Sequence, residues 1–228
     1  MSTIDRPKLA PLVAGERMNR AEFHERYEAM PPGTRFELIG GVVHMPSPVG
    51  DRHGTVSYLA TGWLAHYSLR TPGIKGSSDG STALDEQAEV QPDIALRILP
   101  EYGGQTRKLG NIIGGAPELV IEVSASSLSI DLGPKLADYE RTGVVESVVL
   151  GLKRDEVFWH VRQGNRLVRR APDPDGLYRS GVFPGLWLDP VAIMAEDGPT
   201  LFEALDRGLA SRDYAAFVAR LAAARIQP

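Results

Sequence analysis

The chain has 228 residues, of which 43% are hydrophobic and 24% charged, so it is long enough to bury a core and is not expected to be disordered or fibrous. Its formal net charge of -4 argues against a protein that coats nucleic acid through bulk positive charge. The absence of cysteine excludes disulfides and thiolate metal sites, so any bound metal must use carboxylates, histidines and backbone oxygens, which favours hard cations.

The first third of the chain predicts two helices and a hairpin. A short helix should begin at Asn19, because Asn19 and Glu22 have the spacing of a capping box. Residues 35–45 predict a hairpin that turns at two consecutive glycines. A long helix capped by Asp51 should follow, since apolar residues recur after it at helical spacing.

The middle of the chain predicts two strong strands, at residues 90–99 and 118–124, joined by a glycine-rich loop. The run Leu119–Val123 is apolar on both faces apart from Glu122. This pattern is typical of a central strand that is buried on both sides.

The remaining elements follow this central strand. Asp131 or Ser129 is expected to cap a helix that ends at Gly143. Three strands and two helices are then predicted, at residues 144–152, 157–162, 166–170, 200–209 and 211–225. No internal repeat interrupts this order.

Glu122 is the most informative residue, because an unpaired ionised carboxylate inside an apolar strand costs several kcal/mol. A lysine, an arginine or a divalent cation must therefore compensate it. The sequence is compatible with two interpretations of Glu122: it is either a functional acid or one half of a structural ion pair.

Two further residues could complete a site around Glu122. Strand alternation places Asp93 on the face opposite Ile94, and two carboxylates on adjacent strands would form a site for a hard cation. Lys135 lies one helical turn before Tyr139, on the helix that follows the Glu122 strand. Each also has a simpler interpretation, since a Pro-Asp pair often only begins a turn and a helical lysine is often a solvated charge.

A basic run extends from Lys153 to Arg170 on an otherwise acidic chain. Arg166 and Arg169 within it are candidates for contact with the phosphate backbone of nucleic acid. The alternative is an ordinary hairpin with solvated charges.

Five segments in this order resemble the Uma-two family of restriction-endonuclease-like proteins, within the PD-(D/E)XK nuclease superfamily. They are Phe36-Glu37-Leu38-Ile39-Gly40-Gly41, Arg52-His53-Gly54, Gln91-Pro92-Asp93-Ile94-Ala95, Pro117-Glu118-Leu119-Val120-Ile121-Glu122-Val123-Ser124 and Asp131-Leu132-Gly133-Pro134-Lys135-Leu136-Ala137-Asp138-Tyr139. The ordered set is far more specific than any one segment. The resemblance implies an α/β fold of mixed α+β type, a restriction-endonuclease-like core whose mixed β-sheet is flanked by helices, here with an N-terminal hairpin and C-terminal helices.

The resemblance also implies the roles of individual residues. Asp93 and Glu122 become ligands of Mg2+ or Mn2+, and Lys135 becomes the catalytic lysine that the wider superfamily usually places two residues after the glutamate. The residue at that place here is Ser124. The supporting residues of the pocket would be Glu37, His53 and Tyr139. One departure is that the turn after the Glu122 strand lacks the proline usual in the family.

We therefore expect three parts: a flexible lead over residues 1–18, a nuclease domain over 19–190 and a C-terminal helical extension over 191–228. The extension lies outside the resemblance, and the sequence leaves open whether its helices cover the sheet or form a homodimer. No stretch is long and apolar enough to cross a membrane, so we expect a soluble, cytoplasmic protein.

The expected activity is Mg2+- or Mn2+-dependent endonucleolytic hydrolysis of DNA phosphodiester bonds. Two alternatives remain. The first is a non-catalytic module that binds nucleic acid or protein and retains the nuclease fold. The second is a hydrolase of a different phosphodiester.

Overall fold

The computed structural model describes residues 9–225, and residues 1–8 and 226–228 lie outside it. The strands are β1 (Glu37–Ile39), β2 (Val42–His44), β3 (Ile74–Ser78), β4 (Thr82–Asp85), β5 (Ala88–Val90), β6 (Ile94–Ile98), β7 (Arg107–Leu109), β8 (Ile112–Gly114), β9 (Leu119–Ser124), β10 (Glu146–Gly151), β11 (Glu156–Gln163), β12 (Arg166–Arg170), β13 (Tyr178–Arg179) and β14 (Trp187–Leu188). The helices are α1 (Arg20–Glu28), α2 (Asp51–Ser68), α3 (Leu128–Asp131), α4 (Pro134–Thr142), α5 (Pro190–Met194), α6 (Gly198–Leu209) and α7 (Arg212–Ala224). None of the helices in the described part of the chain combines the length and apolarity that a membrane span requires.

The strands form two six-stranded sheets and one two-stranded sheet. The order of the first sheet is β2-β1-β5-β4-β8-β7, and that of the second is β12-β11-β10-β9-β6-β3. Both large sheets are mixed, because β9 runs parallel to β10 and β4 runs parallel to β8 while the other pairs are antiparallel. The predicted mixed sheet flanked by helices is therefore confirmed.

The central strand of the second sheet is β9, which lies between β10 and β6. All six of its residues are buried, as its apolar sequence predicted. The apolar side of α2 packs with one face of this sheet, and residues of α6 and α7 such as Leu201 and Phe217 belong to the same core. The C-terminal helices therefore belong to this core, where α6 packs on α2 and β14.

A second apolar layer lies on the other side of β9. It contains Val90, Val120, Tyr139 and Leu167, which come from β5, β9, α4 and β12. This layer places α4 against β9, so the Glu122 strand has a helix close to each of its faces.

Several predicted boundaries are confirmed by specific contacts. The side chain of Asn19 accepts a hydrogen bond from the backbone N–H of Glu22 and caps α1. The predicted hairpin is β1 and β2, with Leu38 opposite Val43. Helix α4 ends at Gly143, whose φ of 103° is in the left-handed region that favours glycine.

Residues 90–99 do not form one strand, and here the prediction is wrong. Within this segment only Val90, the last residue of β5, belongs to the first sheet, and Ile94–Ile98 form β6 of the second sheet. Pro92 lies at the break, where its missing N–H cannot contribute to a continuous ladder. The chain passes from one sheet to the other at this point, and Asp93 lies directly before β6.

The predicted helix caps after α1 also need correction. Gly50 caps α2, and Asp51 is its first residue. Neither Asp131 nor Ser129 caps α4, because both belong to the short helix α3 and α4 begins after Gly133. A Pro at the first position of α4 takes the place where a backbone N–H would lack a partner.

The N-terminal lead is packed where the structure describes it. Leu12 is buried, and the N–H of Gly15 donates to the carbonyl of Val43 across 2.8 Å. The Arg26 guanidinium donates to the carbonyl oxygens of Ala10 and Pro11. Residues 9–18 are thus held against the hairpin and α1, while residues 1–8 of the predicted lead lie outside the described residues.

Candidate active site

Asp93 and Glu122 meet because β6 and β9 are antiparallel neighbours. Ile94 lies opposite Ile121 in the ladder, so Asp93 and Glu122 occupy the next opposed positions. The N–H of Val123 donates to Asp93 Oδ2 across 2.6 Å and holds the aspartate beside β9. The structure therefore brings the two predicted carboxylates to one place.

Lys135 extends from α4 into the space between two carboxylates. Its Nζ lies 2.9 Å from Glu122 Oε2 and 2.9 Å from Glu37 Oε1. The Tyr139 hydroxyl, one helical turn further along α4, donates to Glu122 Oε1 across 2.5 Å. Both oxygens of Glu122 thus accept hydrogen bonds, and the ion pair that the sequence left open is present.

Burial is the largest single influence on the pKa of each of three residues in this cluster, although it does not set the direction for all of them. It raises the pKa of Glu122 well above the usual glutamate range, although the charge of Lys135 opposes this change. Burial also raises the pKa of Asp93. For Lys135 burial alone would lower the pKa, but Glu122 and Glu37 reverse that effect, so the pKa of this lysine is raised and it carries a proton.

Glu37 and His53 approach the same cluster from β1 and α2. The Oε1 atom of Glu37 accepts the N–H of Gln91 across 2.6 Å as well as the Lys135 ammonium. His53 Nε2 lies 3.9 Å from Asp93 Oδ2, beyond hydrogen-bond distance. Glu37 therefore positions the lysine directly, while His53 is a neighbour of the aspartate without a direct bond.

The cluster forms part of the wall of a cavity of about 690 Å³. Its lining holds five carboxylates but only two side chains with a permanent positive charge. The carboxylates belong to Glu37, Asp79, Asp93, Glu122 and Asp131, and the cations to Arg35 and Lys135. A phosphodiester entering this cavity would meet a negative surface unless a cation were bound there.

Asp131 is a site residue, although its sequence pattern predicts only a helix cap. It is buried, lines the cavity and accepts a hydrogen bond from the Ser127 hydroxyl across 2.6 Å. Ser124, at the place of the superfamily lysine, lies 3.3 Å from Ser127 between hydroxyl oxygens. The sequence did contain a signal for this role, because Asp131 lies four residues before Lys135 in the same family-like segment.

The two predicted phosphate-binding arginines lie away from the cavity lining. Both are on β12, three strands from β9 in the second sheet. Arg166 Nε lies 3.2 Å from Glu140, and Arg169 lies 2.5 Å from Glu156 and over the ring of Phe158. Each arginine thus has a carboxylate partner within the protein.

The oxygen ligands at this site fit a magnesium-type cation. Mg2+ keeps several waters and typically binds proteins through one or two carboxylates, which Asp93 and Glu122 can supply from adjacent strands. Within residues 9–225 no group of three or more His, Cys, Asp or Glu side chains lies close enough together to hold a metal ion by itself. The two carboxylates would therefore share the cation with waters, backbone oxygens or the substrate.

Comparison with known proteins places these residues in a family. The family model Uma2, described as "Putative restriction endonuclease", matches residues 20–191. The chain belongs to the Uma2 family. All the residues of the Asp93, Glu122 and Lys135 cluster lie inside the matched region, and the predicted family is confirmed.

A solved structure supports the fold of this Uma2 protein. A protein from Anabaena variabilis, described as a putative nuclease belonging to DUF820, superposes with a TM-score of 0.59 and 16% sequence identity. The match covers 75% of this chain and 97% of that one. A search of curated proteins found no match. At this identity the similarity establishes the nuclease-like fold.

Proposed function

We propose that this Uma2 protein is an Mg2+- or Mn2+-dependent endonuclease that hydrolyses phosphodiester bonds of DNA. The observation that carries the proposal is the cluster at the cavity wall, where Asp93, directly before β6, lies beside Glu122 of β9 and Lys135 lies 2.9 Å from Glu122. The nuclease family and fold agree with this chemistry.

The charge of the cavity supports a requirement for a cation. Five carboxylates against two permanent cations would repel a phosphate, and a divalent ion held by Asp93 and Glu122 would offset that repulsion. When bound, such an ion polarises the phosphoryl oxygen and lowers the pKa of the attacking water.

Lys135 would orient the attacking water or stabilise the negative charge that develops on the phosphate. Its ammonium has three donors, and Glu122 and Glu37 accept two of them, which leaves one free for water or a phosphate oxygen. Glu37 and Tyr139 hold the lysine and the glutamate in place, and His53 adds a polar group beside Asp93.

A non-catalytic binding module is the second candidate, and one observation favours it. Both oxygens of Glu122 already accept hydrogen bonds from Lys135 and Tyr139, as they would in a purely structural ion pair. A carboxylate oxygen has a second lone pair, so these bonds do not by themselves prevent ligation of a cation.

Cleavage of supercoiled plasmid DNA in the presence of Mn2+ tests the proposal. Wild type should nick and linearise the plasmid, and Asp93→Asn should lose that activity. Asp213→Asn, at an exposed position on α7, is the matched control and should cleave like wild type. Equal plasmid cleavage by Asp93→Asn, or none by wild type with Mg2+ or Mn2+, would contradict the proposal. Activity on a small phosphodiester alone would indicate a different hydrolase.

A further inference from the structure

The turn between β10 and β11, residues 152–155, lies at the same end of the second sheet as the candidate active site. β9 and β10 are parallel, and Ser124 at the end of β9 is paired with Gly151 at the end of β10. The N–H of Leu152 then donates to the carbonyl of Ser124 across 2.9 Å. Lys153 comes only four residues after Val149, the partner of Glu122, so the two lie within roughly 13 Å along the strand direction.

This turn carries two positive charges that the described protein does not neutralise. Lys153 and Arg154 are exposed, and neither forms an ion pair with any residue in the range 9–225. The one acidic residue of the turn, Asp155, is paired with Arg52. Arg166 and Arg169, in contrast, are both paired with glutamates.

Arg52 also fixes the turn relative to the cavity. Its guanidinium donates to the carbonyl of Leu152 across 2.7 Å and to that of Met194 across 3.0 Å, in addition to its contact with Asp155. The next residue, His53, lines the cavity beside Asp93. The first turn of α2 therefore connects the basic turn to the cavity wall, so the two charges are held on a fixed element.

We infer that Lys153 and Arg154 contact the phosphate backbone of the substrate strand on one side of the scissile bond, an inference that rests on the proposed function. A single DNA strand advances roughly 3.4 Å per phosphate along its axis, so a separation of up to about 13 Å corresponds to about four nucleotides. The acidic cavity needs such a flanking contact, because its own lining repels the backbone on either side of a bound cation.

The test compares two double variants that each remove two exposed positive charges without an ion-pair partner among residues 9–225. Lys153→Ser with Arg154→Ser changes the turn, and Arg107→Ser with Lys108→Ser removes the same charge from β7 on the first sheet. Binding of a labelled DNA duplex is measured in chelator over a series of salt concentrations. Cleavage is measured separately with Mn2+, and melting temperatures confirm that both variants fold.

The turn variant should bind DNA about tenfold more weakly at low salt. The slope of log affinity against log salt concentration should be smaller in magnitude by about one to two, since each lost phosphate contact reduces that slope by about 0.9. In cleavage assays KM should rise while kcat stays within about twofold, because a phosphate contact remote from the reacting atoms contributes equally to ground and transition states. The β7 variant should resemble wild type.

Two results would overturn the inference. The first is a turn variant whose affinity, salt slope and KM change no more than those of the β7 variant, which would show that the turn does not contact DNA. Plasmid cleavage by wild type would in that case still support the proposed function. A wild type that neither binds duplex nor cleaves plasmid would overturn both.

Discussion

Lys135 donates to Glu122 across 2.9 Å in a place where the residues are each only 3% exposed. A fully buried ion pair loses so much hydration that it is often no more stabilising than an apolar pair of the same volume. Its presence beside a polar cavity therefore points to chemistry rather than to stability. The pair also keeps the ammonium charged, and this charge acts on the nearby Asp93 as well, whose pKa it lowers against the effect of burial.

Replacing Lys135 with Met should abolish plasmid cleavage and reduce stability. The substitution keeps the volume of the side chain but leaves the buried Glu122 and the partly buried Glu37 without their cation. Loss of one partner of a buried pair typically costs about 3–5 kcal/mol, measurable as the free energy of unfolding in urea. Mn2+ affinity, measured by calorimetry, should be retained, because an ammonium does not ligate a metal.

The matched variant is Glu37→Gln, which retains the Lys135 to Glu122 pair and should lose less stability than Lys135→Met. A Lys135→Met protein that is folded and cleaves plasmid at the wild-type rate would show that the lysine has only a structural role.

Neutralising Asp93 should help the fold in the absence of metal. Burial raises the pKa of Asp93, so its ionised form disfavours the folded state, and Asn retains the oxygen that accepts the Val123 N–H. We expect Asp93→Asn to melt at or above the wild-type temperature in chelator. Wild type should gain melting temperature in millimolar Mn2+ according to its occupancy, and the variant should gain none.

Asp93 gives a cleaner test than Glu122, because Glu122 also accepts a bond from Lys135, whose loss would lower stability for a different reason. An equal Mn2+-dependent shift in wild type and Asp93→Asn would remove Asp93 from the metal site.

Gly133 should be required for the position of Lys135. It joins α3 to α4, and a Cβ atom there would lie 2.4 Å from the backbone oxygen of Ser129. Gly133→Ala should therefore shift the start of α4, lower the free energy of unfolding by about 1–3 kcal/mol and reduce the cleavage rate by about a hundredfold.

The glycine control lies in the interior of α2. A Cβ atom on Gly62 would meet the ring of Phe202 at 3.5 Å, an ordinary contact. Gly62→Ala should stabilise the protein by about 0.5–1 kcal/mol and leave cleavage unchanged. Wild-type cleavage by Gly133→Ala would show that the α3 to α4 junction can relax without moving Lys135.

Glu146 should make the protein less stable as the pH rises. It lies at the start of β10, burial raises its pKa, and its Oε2 atom has no hydrogen-bond partner among the described residues. The folded state therefore holds a proton that the unfolded chain has already released, so the free energy of unfolding falls as the pH rises through that interval.

Glu146→Gln retains an oxygen for the N–H groups of Gly181 and Val182 but does not ionise. Its stability advantage over wild type, from urea melts between about pH 5 and 8, should grow with pH. Glu203→Gln, at an exposed position on α6, is the control and should follow wild type. A constant difference between wild type and Glu146→Gln at every pH would show that Glu146 does not titrate in this range.

The sequence alone determined the features that depend on neighbouring residues. The Asn19 cap, the hairpin at Gly40-Gly41 and the buried strand around Glu122 follow from local hydrogen bonding and from hydrophobic period. The ordered segments that resemble the Uma2 family also selected Asp93 and Lys135, which the structure places with Glu122.

Only the tertiary structure decided the pairings between distant residues. The division of residues 90–99 between two sheets depends on which strands lie beside each half, although Pro92 marks the break. The partners of Arg166 and Arg169 come from α4 and β11, so these two charges of the basic run are neutralised in space, while Lys153 and Arg154 form no ion pair with residues 9–225. The local sequence sets the hydrogen bonding of caps and turns and the periodicity of hydrophobic residues. Burial and charge balance depend on contacts between residues far apart in the sequence, and such contacts exist only in the folded chain.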